Sequence, residues 1–176
     1  IIGSNGNLVN SPGSERGAVL TKIDFNGNLV LNKIIEDWGE LESIVPTSSG
    51  FVGTGFTGSR PIIFKIDESG DEIWSYSLNQ NAVLRNPVEV DDGGYIFCGS
   101  KFMGSGDEDI FILRTDSFGN QIWAKAYHDK EGETDIGHSY SMIKLNDGNY
   151  GAVGLSVKDG NYSEADIAFI KIDTDG

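Results

Sequence analysis

Two histidines and a dense set of carboxylates are the first residues in this chain whose types and spacing could do chemistry. His128 and His138 enclose Asp129, Glu131, Glu133 and Asp135, and imidazole with carboxylates can hold a divalent metal. The histidines stand ten positions apart, and the sequence between them is acidic with no helical or strand period, so a solvated acidic loop is the expected reading. A second set of oxygens recurs elsewhere. Asp24, Asn26 and Asn28, and again Asp67, Ser69 and Asp71, alternate as the ligands of a calcium loop do. The third copy places Phe118 two residues after Asp116, and no distal Glu follows to close a bidentate site. Turn chemistry explains the spacing better: an Asp accepts backbone N–H bonds from residues further along, and a Gly supplies a left-handed conformation. No Ser/His/Asp set has a recognisable local signature. No catalytic residue, metal or cofactor is assigned.

The elements that must position these residues are set by a repeat. The phrases KIDFNGN (Lys22–Asn28), KIDESGD (Lys65–Asp71), RTDSFGN (Arg114–Asn120) and KIDTDG (Lys171–Gly176) place their aspartates 43, 49 and 57 residues apart. Four structural turns follow, carried by Asp24 and Gly27, Asp67 and Gly70, Asp116 and Gly119, and Asp173 and Gly176. Self-similarity at this period is the mark of a stack of small sheets. Each unit reads as four strands: an apolar run, a Gly/Asn turn, a second strand ending in Gly, a third entering the Asp turn, and a fourth after it. Second strands are Phe51–Gly55, Tyr95–Gly99 and Tyr150–Gly154, with Ile1–Gly3 the remnant of another. Third strands are Ala18–Ile23, Ile62–Ile66, Ile110–Thr115 and Asp166–Ile172. Several are apolar on successive residues, which suits sheets covered on both faces. Trp74 and Trp123, each seven residues after its repeat Asp, are expected to dock on a neighbouring unit, and Leu31 holds that position in the first copy. The fold class expected is all-β: a β-propeller of four-stranded blades, about three and a half of them, in a single domain over 1–176 with blade segments 1–37, 38–80, 81–129 and 130–176.

Two stretches carry a resemblance. Asp-Gly-Gly-Tyr-Ile-x-x-Gly (Asp92–Gly99) and Asp-Ile-Phe-Ile-Leu-Arg-Thr-Asp-x-x-Gly-Asn-x-Ile-Trp (Asp109–Trp123) resemble the propeller repeats of bacterial exported and cell-surface proteins, frequent in Bacteroidota lipoproteins and secreted multidomain proteins. The resemblance covers essentially the whole chain, and the third unit matches best. It implies a propeller with an extracytoplasmic, non-enzymatic binding or scaffolding role and carries no catalytic residues. Ser49-Gly50-Phe51, Leu31 and Pro61 depart from the pattern. Quinone-dependent dehydrogenase propellers and sialidase Asp boxes use different Asp-to-Gly or Asp-to-Trp spacings, and the four arginines, Arg16, Arg60, Arg85 and Arg114, show no sialidase-type cluster.

The net charge of −14 and pI of about 4.3 argue against nucleic acid and against an anionic membrane surface. No apolar run is long enough to span a bilayer, although a lipid anchor outside this stretch is compatible with it. The lone cysteine, Cys98, lies in an apolar run and is read as buried and inert. Opening in a strand pattern and ending in a turn, the chain is read as a piece of a longer propeller, the alternative being that two copies pair into a ring of seven units. Length variation falls between second and third strands and between units, while the hairpin turns barely change. In a meandering blade the variable connections share one face, which becomes the expected binding surface. Trp38, Phe102, Met103, Asp107, Asp109, His128, His138 and Tyr162 are its candidate contacts. The function expected is a cell-surface or periplasmic module binding a protein or glycan; the alternative is a glycan hydrolase or lyase whose site lies partly in other blades.

Overall fold

A computed structural model of the chain describes residues 2–4, 17–36, 38–104, 107–127, 135–158, 163 and 165–176. Among these the protein is all-β, with fourteen strands and no α-helix. Strands β1 (Ile2–Ser4), β2 (Gly17–Ile23) and β3 (Leu29–Glu36) form the first sheet in chain order. The second runs β4 (Leu41–Thr47), β5 (Gly50–Thr57), β6 (Arg60–Ile66) and β7 (Glu72–Ser77). The remaining strands form one seven-stranded sheet made of two antiparallel sets, called here the third sheet, β8 (Ala82–Glu89), β9 (Tyr95–Gly104), β10 (Asp107–Thr115) and β11 (Gln121–Tyr127), and the fourth, β12 (Asp135–Lys144), β13 (Tyr150–Lys158) and β14 (Asp166–Ile172). Pairing within every sheet is antiparallel between sequence neighbours, and one parallel pair, Glu108 with Ile136, joins β10 to β12. The chain separates into two compact units, Ile1–Asn79 and Gln80–Gly176, each holding two sheets.

Within each unit the two sheets meet through the same repeat positions. In the first, Ala18 and Leu20, six and four residues before the repeat Asp, share a buried cluster with Ile62, Phe64 and Ile66, which stand five, three and one before theirs. In the second, Ile110 and Ile112 share a cluster with Ala168, Ile170 and Ile172. The two-residue alternation of strands places the two sets on opposite faces. A repeat unit therefore carries a leading and a trailing apolar face, and one stacks on the other. Strands buried on both faces lose the alternation: every residue from Pro61 to Ile66 and from Tyr95 to Ser100 is buried.

The glycine expected to close each second strand lies inside it, since β5, β9 and β13 run on to Thr57, Gly104 and Lys158, and it marks a close backbone approach. A Cβ on Gly55, Gly99 or Gly154 would collide with the carbonyl of Glu40, Val83 or His138 on the neighbouring first strand. The pairing of that first strand is irregular nearby, between Leu41 and Ser43, Arg85 and Val88, and Ser139 and Ser141. Each bulge bends the strand toward its partner, and only glycine leaves room for it.

Candidate functional site

The connection carrying Phe102 and Met103 is an extended hairpin rather than a loop. Phe102 N–H donates to the Asn81 carbonyl at 2.8 Å, and β9 and β10 stay paired out to Gly104 opposite Asp107. Because both strands continue past the expected loop start, Phe102 and Met103 stand on a strand-paired rim, 38% and 52% exposed. Glu108 pairs in register with Phe102 on one side and with Ile136 of β12 on the other. That second pairing brings in His138, a strand residue opposite Leu155, and its Nδ1 lies 3.2 Å from Glu108 Oε2. Both side chains are mostly buried, and among the described residues no hydrogen bond reaches that oxygen. The contact becomes an ion pair when the imidazole is protonated.

The His138 ring stacks on Tyr140 at 5.9 Å, and the Arg85 guanidinium lies 5.9 Å from the Tyr140 ring centroid. The Asn86 side chain donates to the Tyr140 carbonyl at 3.1 Å. Asn86 has φ of 37°, the one positive value among described residues other than glycine. Such a conformation persists only where the surroundings hold it, here at the irregular pairing of β8. Arg85, Asn86 and Tyr140 have no spacing that marks them in the sequence; they gather because β12 pairs with β10 out of chain order.

Of the remaining expected contacts, Asp109 is buried at the base of the rim, and Asp107 opens β10 opposite Gly104. His128 and Tyr162 lie outside the described residues. Trp38 is a core residue: it is 6% exposed, and its ring centroid is 4.2 Å from that of Phe64. The reason is local. Gly39 N–H donates to the Phe56 carbonyl and Phe56 N–H to that of Glu40, so the segment before β4 already runs beside β5 and turns the indole inward.

The four repeat aspartates sit at the opposite end of the strands, each bonded to its own turn. Asp24 Oδ1 accepts from the N–H groups of Asn26 and Asn28 at 2.9 and 2.8 Å, and Asp116 Oδ1 from those of Phe118 and Asn120 at 2.9 Å each. Asp67 and Asp173 accept in the same way from Ser69 and Asp71, and from Asp175 and Gly176. Gly27, Gly70, Gly119 and Gly176 all have φ between 76° and 84°. Hydrogen bonds from the Asn28 and Asn120 side chains hold the Asp24 and Asp116 carboxyls below the ordinary range. No cluster of three or more His, Cys, Asp or Glu side chains able to hold a metal ion occurs among the described residues.

In the third and fourth sheets the basic residue two before the repeat Asp reaches back to the first hairpin turn of its own sheet, whereas Lys22 of the first sheet donates to the Glu68 carbonyl at 3.5 Å. Arg114, almost fully buried, donates from Nη2 to both Asp92 oxygens at 2.8 and 2.6 Å, and Lys171 donates to Asp147 at 2.6 Å. The Gly94 N–H bond and the guanidinium hold Asp92 low, and the Lys171 bond brings Asp147 to about 2. Gly94 leaves room for the guanidinium, since a Cβ there would strike Arg114 and the Thr115 carbonyl. The fourth sheet pairs the slimmer Lys171 with Asn149 at the corresponding place. Cys98 is a fully buried free thiol, and burial pushes its pKa up.

No protein-family model matches the chain, and no curated protein matches it. Among solved structures it is similar to a protein of unknown function from Bacteroides caccae, at 12% identity and a TM-score of 0.47, over 91% of this chain and 70% of that one.

Proposed function

We propose that the chain is part of a β-propeller whose four sheets are successive blades, and that it acts as a non-catalytic binding or scaffold module outside the bacterial cytoplasm. The blade reading is supported by the repeated leading-on-trailing stacking of sheets within each unit. The location rests on the resemblance of the repeats to those of exported proteins. No helix is long and apolar enough to cross a membrane among the described residues. One observation carries the binding reading: on the rim of the third sheet, exposed Phe102 and Met103 stand beside the Glu108–His138 contact. Exposed apolar side chains on a strand-paired backbone, bordered by ionisable groups, suit a protein surface or a glycan whose sugar faces stack on a ring.

The test is a binding screen of the purified chain against a glycan panel and a displayed-peptide library. A ligand bound by the wild-type chain should lose at least about tenfold in affinity with Phe102→Ala/Met103→Ala, the loss of a small hot spot. A ligand indifferent to that double substitution would place binding elsewhere.

A further inference from the structure

Two bulged strands lie side by side within the second unit. The pairing of β8 shifts between Arg85 and Val88, and that of β12 between Ser139 and Ser141, which leaves Asn86 and Tyr140 out of their ladders. A bulge re-aims the side chain it releases, and bulges recur beside functional sites. Here the two released residues meet: the Asn86 side chain donates to the Tyr140 carbonyl at 3.1 Å, and Asn86 keeps a φ of 37°. Backbone strain of that kind is held in place by its surroundings and gathers at ligand sites. The Tyr140 side chain stays 47% exposed. Arg85 reaches its ring from β8, and His138, whose Nδ1 is 3.2 Å from Glu108 Oε2, lies against it on β12. A ring open to solvent is thus bordered by a guanidinium, an imidazole and a carboxylate supplied by three different strands.

We infer that this cluster is a sugar-binding subsite, with Tyr140 as the platform for a neutral glycan and Arg85 and His138 as its polar contacts. The inference rests on the reading of the chain as a binding module, and it selects the glycan from the two partner classes that reading allows. A pyranose has an apolar C–H face that lies on an aromatic ring, and adjacent hydroxyls that each donate and accept. Arg85 only donates, ionised Glu108 only accepts, and neutral His138 does one at each nitrogen. The border therefore supplies both senses of hydrogen bond around the ring. Few polar groups, held in place beside an aromatic floor, are the makings of a small-ligand site. The net charge of −14 selects against uronate, sulfate and phosphate groups, which makes the sugar a neutral one.

The experiment is calorimetric titration of the protein with short neutral oligosaccharides of glucose, mannose, galactose and xylose, with uronate oligosaccharides and the displayed peptides alongside. The wild type should bind at least one neutral sugar. Tyr140→Ala should weaken that binding by at least about tenfold, as the loss of a hot-spot ring does, while Tyr140→Phe, which keeps the ring, should retain most of it. Circular dichroism should show both variants folded, since the Asn86 bond goes to the Tyr140 backbone. Phe102→Ala/Met103→Ala, titrated in parallel, separates this inference from the rim reading. Sugar binding lost with Tyr140→Ala but kept by the rim pair upholds the inference and contradicts the rim. Sugar binding lost with the rim pair but indifferent to Tyr140→Ala overturns the inference and leaves the rim reading in place. Equal loss with both Tyr140 variants overturns the platform role. A protein that binds only peptides or uronates, or no sugar at all, also overturns the inference.

Discussion

At the scale of single residues, the most specific coupling is between Gly94 and Arg114. Gly94→Asn should destabilise by about 1–3 kcal/mol, as overfilling a packed site does. Adding Arg114→Lys, which reproduces the Asn149/Lys171 pair of the fourth sheet, should recover part of the loss. A double-mutant cycle by urea denaturation reads the coupling at about 0.5 kcal/mol or more, and strict additivity would contradict it. Gly119, with φ of 84°, should cost roughly 1–2 kcal/mol or more when replaced by Val. The turn carboxylates give a pH dependence of fixed sign. Asp24, Asp92, Asp116 and Asp147 sit below their ordinary values in the folded state, so on acidification the unfolded chain takes up protons first. Stability should be level above about pH 4 and fall between about pH 4 and pH 2, with Asp147 titrating last. A denaturation midpoint flat across that window would mean the turns do not hold their carboxylates as described. These turns were legible in the sequence because Asp and Gly occur at fixed offsets in four copies. The Arg114–Asp92 contact was not, because the partners lie 22 residues apart and meet only through strand register.

At the scale of elements, strand order could be read directly, because each third strand enters a recognisable turn, whereas burial on both faces holds for Pro61–Ile66 and not for β14, where Ile167 and Phe169 are exposed. The far ends of the strands could not be read. Phe102, Met103 and His138 look like loop residues in a sequence poor in alternation, yet backbone pairing carries β9, β10 and β12 past the expected limits. Trp38 misled for the opposite reason: it lies outside any strand, and register with β5 still seats it on Phe64. The link between consecutive sheets was partly legible. Trp123 Nε1 donates to the Thr174 carbonyl at 2.8 Å, and Lys125 donates to the carbonyls of Asp175 and Gly176 at 2.7 and 2.6 Å, so the outer strand of one sheet grips the Asp turn of the next. In the first unit Leu31 would be 3.2 Å from a Cβ placed on Gly70, and Lys33 pairs with Asp71. Leu31→Ala should therefore speed amide exchange at Ser69, Gly70 and Asp71 while leaving Asn26 and Asn28 in its own turn unchanged. Equal acceleration at both turns would mean the residue merely supports its own hairpin.

At the scale of the whole molecule, taking each unit by itself, the two ends of the strands differ in what they expose. One end holds the aspartate turns, whose polar groups are spent on their own backbone, although Phe25 and Phe118 stand exposed on them. The other end holds the rim, where Phe102 and Met103 are exposed beside Glu108 and His138. Which aromatic residues face outward was not legible in the sequence, because it depends on pairing between strands distant in the chain. The central claim is that partner binding belongs to the rim. Its most direct measurement is the affinity of a ligand from the glycan and peptide screen for the wild-type chain, for Phe102→Ala/Met103→Ala, and for Phe25→Ala/Phe118→Ala. The rim substitutions should weaken binding at least about tenfold and the turn substitutions leave it within about twofold, as for surface residues outside a hot spot. Loss with the turn substitutions and retention with those on the rim would contradict the account.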